Sequence, residues 1–398
     1  MVERALRPLN HAKTFRVRAT LQKPPNVSTS RPVKAALLVG VDEPLVVEAL
    51  VPDGLGPHAV RVRIDASGVC HSDLSIATGY VPMPPPVILG HEGAGTVLEV
   101  GASVTRVRVG DRVITSFVPT CGTCWYCVND QPAFCERMIE IALTQHHHRR
   151  DGTRVFSMSG LGTFADEMVS HEWSLVPVET DLPAEQLALV GCGVMTGVGS
   201  VLNTARVRPG STVAVIGLGG VGQSVVQAAR IAGAVRVIGI DPVAMKRQTA
   251  AGLGAGDLVD PADGDVAEQV RALTGGRGAD YAFEVVGRPE TIVQARDVTR
   301  TGGTVVIVGM PRSDATVTLP AYSLFQDEKA LLGCNFGSAH VRRDFPRIVA
   351  MIERGALDLA PMVTRTIPLE VVNDAFAAML AGDVIRSVIV PPAPATTS

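Results

Sequence analysis

Aromatic residues are scarce in this chain, at 4% of 398 residues, and charged residues reach only 19%. With two tryptophans, four tyrosines and no basic stripe interleaved with rings, nothing suggests a surface that reads nucleic acid. Thirty-six basic side chains against 39 acidic ones leave a formal net charge of -3, so small molecules are the expected partners. No stretch approaches the roughly 18 uninterrupted apolar residues of a spanning helix, and the N-terminus lacks the apolar core of a signal peptide. Membrane insertion is therefore not expected. Seven cysteines are an odd set, clustered rather than dispersed, which excludes the usual secreted disulfide framework. A reducing compartment, by default the cytoplasm, follows.

What is present is 46% hydrophobic residues and 40 glycines, the balance of an α/β enzyme with many tight strand-to-helix turns. A chain of this length exceeds most single domains, so two are expected. In residues 1–33 the cations Arg4, Arg7, Lys13, Arg16, Arg18, Lys23 and Arg31 face one acid, Glu3. This reads as a disordered or arbitrary extension in preference to an organellar targeting segment. From Val33 to Val118 short β-rich runs alternate with Gly/Pro breaks, which predicts a small barrel lobe. From about residue 194 apolar strands alternate with helical segments such as Val266–Leu273, the pattern of βαβ units on a doubly wound parallel sheet. Two more helical segments and a strand between Asp344 and Val390 then close against an existing structure. Expected boundaries are 34–193, 194–336 and 337–398, the last ending in a Pro/Ala tail.

Cys121, Cys124, Cys127 and Cys135 lie within fifteen residues, the spacing of a loop around one tetrahedral metal ion. A closed four-thiolate site leaves no open position, so it is structural. The chemistry must lie elsewhere.

Gly217-Leu218-Gly219-Gly220-Val221-Gly222 follows an apolar strand and opens a helix, the context that makes such a glycine pattern a dinucleotide site. Gly217 permits the tight turn, Gly219 the approach of a pyrophosphate, and Gly222 close helix packing. Asp241, at the end of the next strand, offers a carboxylate to both ribose hydroxyls and repels a 2′-phosphate, which favours NAD over NADP. Lys246 either touches the adenosine ribose or lies on a solvated helix face.

Cys70, His91 and Cys192 form a two-thiolate, one-imidazole set. Three protein ligands leave a fourth position for water or substrate, as in a catalytic zinc, and soft thiolates select zinc over magnesium or calcium. Glu92 reads as an outer acid or alternate ligand, with a plain salt-bridged carboxylate as the other possibility. Asp73 reads as the partner of the free ring nitrogen of His91, or as a turn-forming residue. Cys334 is read as a small buried residue.

Taken together, GVCHSD, GHEGAGTVLEVG, CGTCWYC with Cys135, GCGVMTG, and GLGGVG with Asp241 closely resemble the zinc-containing medium-chain dehydrogenase/reductase family, alcohol dehydrogenase type. The resemblance implies an α/β fold, with a GroES-like β-rich catalytic domain from 34 to about 193 plus 337 to 390. A Rossmann domain lies between those segments. It implies two zinc ions per chain, NAD as cofactor, and hydride transfer between that cofactor and a small alcohol or aldehyde. Cys70, His91 and Cys192 look like catalytic zinc ligands, and Ser72 like the hydroxyl that takes the substrate proton. Phe117 and Val81 resemble pocket walls. Thr196 resembles the residue pressing the nicotinamide towards zinc, Val308 and Met310 its backbone contacts, and His71 and Arg386 pyrophosphate partners.

Two departures stand out. Where many members end the proton relay in histidine, this chain has Ser75, so relay through water or a ribose hydroxyl is expected. Thr78, Gly79, Tyr80, Val81 and Ile139 replace the charged residues of thiol-dependent formaldehyde dehydrogenases, which disfavours a glutathione adduct. The long segment from Cys135 to Gly162 favours a homodimer over a tetramer, and its His146, His147 and His148 read as a solvated loop. Alternatives are a formaldehyde dehydrogenase using another thiol, an enzyme whose NAD stays bound and is recycled by an external acceptor, and a non-catalytic zinc or thiol redox sensor.

Overall fold

The computed structural model describes residues 31–392. The extension expected before the fold lies outside these residues up to position 30, as do the last six residues of the tail. Two β-sheets build the first lobe. Val33–Leu38, Val46–Pro52, His147–His148, Arg154–Ser157 and Val87–Ile88 close into a small barrel, in that order. A larger sheet is ordered Leu175–Pro177, Arg112–Thr115, Glu92–Val100, Ala59–Gly68, Arg386–Ile389 and Val363–Ile367, with Glu167–His171 also paired to Ala59–Gly68. The C-terminal strand is inserted late: Val388 pairs with Gly68, which carries Arg386 back to the start of the GVCHSD segment.

The second lobe is a six-stranded parallel sheet ordered Asp257–Val259, Arg236–Ile240, Thr212–Ile216, Ala279–Glu284, Thr299–Ile307 and Ala330–Gly333. Val213, Ala214 and Val215 are all fully buried, because helices cover both faces and the strand has no solvent side on which to alternate polarity. Strand order reverses between Thr212–Ile216 and Ala279–Glu284. The crevice beyond their carboxyl ends is where ligands bind in such sheets.

Between the lobes runs a continuous helical stretch, Ala184–Ala205, 22 residues long and largely buried. It is apolar enough to cross a membrane by composition, yet 83% of its most apolar window is inside the protein, which makes it a core element. The boundary drawn at residues 193 and 194 falls inside this one run. Two of its turns are π-helical, Val190–Val194 and Ser200–Ala205. Such turns are rare and concentrate at functional sites.

The histidine run corrects the expectation of a solvated loop. His147–His148 is a barrel strand paired with Val51 and Pro52 on one side and Arg154 and Val155 on the other. His147 is buried, and neither of its ring nitrogens has a hydrogen-bond partner among the described residues. His148 Nδ1 lies 2.9 Å from Asp53 Oδ1, and Arg154 pairs with the same carboxylate at 2.6 Å.

Candidate active site

Cys70 precedes the short helix His71–Ala77, and Asp73 folds back so that its Oδ2 accepts the Cys70 N–H at 2.8 Å. Its other oxygen faces His91 Nδ1 at 3.1 Å and accepts the Gly90 N–H at 3.1 Å. Asp73 is fully buried, so one carboxylate fixes the first two segments relative to each other. His91 Nε2 is buried and has no partner among the described residues. It faces the cluster in which the ligand atoms of Cys70, His91, Glu92 and Cys192 all lie within 4.8 Å of one another. The thiols of Cys70 and Cys192 face each other closely enough that their hydrogen bond holds Cys70 well below the usual thiol range and Cys192 well above it. Burial opposes charge on His91, but Asp73 and Cys70 outweigh it and raise its pKa.

Cys192 arrives from the other side, on the π-helical turn Val190–Val194. Gly193 follows it because a side chain there would stand 2.8 Å from the Arg386 guanidinium. Glu92 is fully buried; one oxygen accepts the Gly193 N–H at 3.1 Å and the other pairs with Arg386. Desolvation pushes the Glu92 pKa up to about 7, against the pull of Arg386. Glu92 is thus both salt-bridged and a member of the ligand cluster. Arg386 lies against Gly220, the first residue of the helix Gly220–Ile231, and its Nε has no partner among the described residues.

Four sulfurs gather separately. Cys121, Cys124, Cys127 and Cys135 lie mutually within 4.8 Å, with Cys121 and Cys127 Sγ 3.8 Å apart. Thiolates about 2.3 Å from one tetrahedral ion stand about 3.8 Å from each other, so this set fits zinc. The N–H groups of Thr123 and Cys124 point at Cys121 Sγ, at 3.4 and 3.3 Å; although burial opposes charge, these donors lower its pKa to about 6.

The dinucleotide loop is equally specific. Gly217 has φ +92°, a left-handed turn, and a side chain on Gly222 would stand 1.9 Å from the Gly217 carbonyl. Gly219 has open space where a side chain would be, which leaves the loop bare for a pyrophosphate at the N-terminus of the helix. Asp241 is buried; its oxygens accept the Leu218 and Val243 N–H groups at 2.7 and 2.8 Å, so it fastens the loop and keeps a second lone pair on each oxygen.

Of the remaining expected residues, Ser72 Oγ lies 3.8 Å from Cys70 Sγ, and the Phe117 ring stands edge-on to His91 at 5.6 Å. Ser75 donates to the His71 carbonyl at 2.9 Å, which ties its hydroxyl to its own helix. His71 is exposed; loss of water from part of its ring, ahead of the charges on Arg386 and Lys246, lowers its pKa. Lys246 is partly buried, Thr196 buried, Val81 partly buried and Met310 half-exposed. The Val308 N–H donates to the Glu284 carbonyl at 2.8 Å, so a backbone contact from Val308 falls to its carbonyl. Thr115 went unnoticed in the sequence: its hydroxyl donates to the His91 carbonyl at 3.1 Å and accepts the Gly93 N–H at 2.7 Å. A single threonine ending a strand gives no signal.

Residues 56–180 match the alcohol dehydrogenase GroES-like domain model, and residues 220–354 match the zinc-binding dehydrogenase model. The chain belongs to the zinc-containing medium-chain alcohol dehydrogenase family. A protein of Mycobacterium tuberculosis provisionally named alcohol dehydrogenase D is 40% identical over 364 residues, covering 89% of this chain and 99% of that one. An alcohol dehydrogenase of Amycolatopsis methanolica described as NDMA-dependent is 38% identical over 364 residues, 89% and 98% of the two chains. The crystal structure of benzyl alcohol dehydrogenase from Acinetobacter calcoaceticus superposes with a TM-score of 0.85 at 28% identity, covering 91% of this chain and all of that one. The GroES-like and Rossmann-like halves of this dehydrogenase fold are therefore the two lobes described above.

Proposed function

We propose that this chain is a zinc-dependent dehydrogenase that moves hydride between a small alcohol or aldehyde and NAD. The observation that carries the reading is His91 Nε2, buried with no partner among the described residues and facing two thiols, Cys70 ahead of the helix His71–Ala77 and Cys192 within the helical run that packs on the dinucleotide helix. Zinc held by Cys70, His91 and Cys192 would supply Lewis acidity, which lowers the pKa of a bound oxygen by several units. Asp73 sets the imidazole tautomer by accepting the hydrogen bond from Nδ1–H, so Nε2 offers its lone pair. Ser72 receives the substrate proton and passes it to water or a ribose hydroxyl; Ser75, engaged with the His71 carbonyl, does not take part. Gly217, Gly219, Gly220, Val221 and Gly222 cradle the pyrophosphate, with Arg386 and His71 beside it, and Asp241 takes the ribose hydroxyls.

The second zinc belongs to Cys121, Cys124, Cys127 and Cys135 and holds the lobe together. We favour a cytoplasmic homodimer. The open sheet edge Ala330–Gly333 and the exposed rings of Tyr322 and Phe325 support the dimer, because an uncovered edge strand invites pairing. One second reading draws specific support. The Amycolatopsis relative described as NDMA-dependent favours an enzyme whose NAD stays bound and is recycled by an external acceptor. A panel of alcohols is run with NAD, with NADP and with NDMA but no added nucleotide, each with and without chelator. Chelator-sensitive absorbance at 340 nm with NAD supports the first reading, and turnover only with NDMA the second. No turnover, with zinc released by peroxide, would support a redox sensor instead.

A further inference from the structure

A row of aromatic rings runs from the candidate metal centre to the point where the chain leaves the parallel sheet. Phe117 stands edge-on to His91, Phe336 lies behind Phe117 with ring centroids 4.2 Å apart, and Phe345 stands edge-on to Phe336 at 6.4 Å. Phe117 keeps some accessible surface, whereas Phe336 is 3% exposed and Phe345 fully buried. A ligand at the centre therefore meets Phe117, and Phe336 acts through it.

The backbone holding Phe336 is unusual. Phe336, Gly337 and Ser338 have φ of +52°, +65° and +48°, three consecutive left-handed residues, a conformation that bulky side chains avoid unless their surroundings impose it. Those surroundings are visible. A side chain on Gly337 would stand 2.5 Å from the Met195 carbonyl, the Gly337 carbonyl accepts Asn203 Nδ2 at 3.2 Å, and Ser338 Oγ lies 2.8 Å from Thr204 Oγ1. All of these partners sit on the helical run that also carries Cys192. The turn is thus clamped to the element that delivers one of the three candidate metal ligands.

We propose that Phe336 is a positioning residue for substrate specificity, fixing the Phe117 ring against His91 and so setting how bulky an alcohol the site accepts. The proposal rests on the dehydrogenase reading above. Because the turn is tied to the helical run, the wall keeps its place relative to Cys192.

The test uses the zinc-loaded full chain and the variants Phe336→Ala, Phe336→Leu, Phe117→Ala and the double alanine variant. Values of kcat/KM are measured for ethanol and for cyclohexylmethanol. One methylene in an apolar pocket is worth about tenfold or more in this ratio, so Phe336→Ala should shift preference towards cyclohexylmethanol by at least about tenfold, mainly through KM. Phe336→Leu, which removes three side-chain carbons where alanine removes six, should shift preference in the same direction but by less than Phe336→Ala. Residues that act through one another are not additive, so the double variant should shift no further than Phe117→Ala alone. Calorimetric binding of N-methylformamide and N-cyclohexylformamide, uncharged amides titrated in the presence of NADH, should show the same shift without turnover. Equal losses for both alcohols, or shifts that multiply in the double variant, would overturn the proposal. A parent protein inactive with every alcohol and acceptor would defeat the dehydrogenase reading itself. In that case an unchanged amide ratio in Phe336→Ala would also sink the wall argument.

Discussion

Acid should open the barrel at its histidine strand, and His147 should be the residue responsible. Burial lowers its pKa from the ordinary 6.5 to about 3, and Arg61 and Arg154 on neighbouring elements, with the adjacent His146 and His148, push in the same direction. Asp53, the nearby acid, is engaged by His148 and Arg154. A histidine whose folded pKa is depressed gives stability that is complete above 6.5 and is lost as pH falls towards about 3, because the opened chain binds the proton more readily. Each pKa unit corresponds to about 1.4 kcal/mol, so at pH 4.5 the loss from His147 is roughly 3 kcal/mol, or about 100-fold in the opening equilibrium. His146, lowered by burial to about 4, adds in the same direction. Hydrogen exchange of residues 143–157, corrected for intrinsic rates, is measured at pH 7.5 and pH 4.5. The parent should lose about 100-fold more protection than His147→Leu, which has no proton to gain. Protonation of metal ligands affects both proteins and cancels in the comparison. Equal pH dependence in the two proteins, or an imidazole titrating near 6.5 by NMR, would refute the reasoning.

Arg386→Ala should destabilise by about 3–5 kcal/mol, because it strands Glu92 as a buried unpaired carboxylate, and the added change Glu92→Gln should recover part of that loss in thermal unfolding. Ser72→Ala should lower kcat by about 100-fold or more, the range of a lost proton-transfer group, while Ser75→Ala stays within about twofold; steady-state kinetics on both variants decides between them. Cys121→Ser should release one zinc per chain by elemental analysis and speed proteolysis of the 121–135 loop, without removing the metal of the other cluster.

The parts of the site legible in sequence are those confined to short segments. Cys121 to Cys135 form a loop whose spacing alone brings four sulfurs together, and the glycines from Gly217 to Gly222 serve a turn made by their own backbone. Gathering Cys70, His91 and Cys192 from three distant segments was legible only through the motifs flanking each. What stayed hidden depends on contacts between elements far apart in sequence. Nothing near His147 marks it as a barrel strand, since its burial comes from pairing with Pro52 and Val155. Nothing near Phe336 shows that its ring lies behind Phe117, about two hundred positions earlier. The boundary expected at residues 193 and 194 falls inside the helical run Ala184–Ala205, whose glycines admit Arg386 and the dinucleotide helix, contacts that no local pattern shows.

The account stands most directly on Cys192. In Cys192→Ala, zinc content should fall from two to one per chain, the remaining ion held by the four-cysteine loop, and alcohol-dependent absorbance at 340 nm should vanish while NAD binding persists. A variant that kept both zinc ions, or that went on reducing NAD with alcohol at the parent rate, would contradict the account.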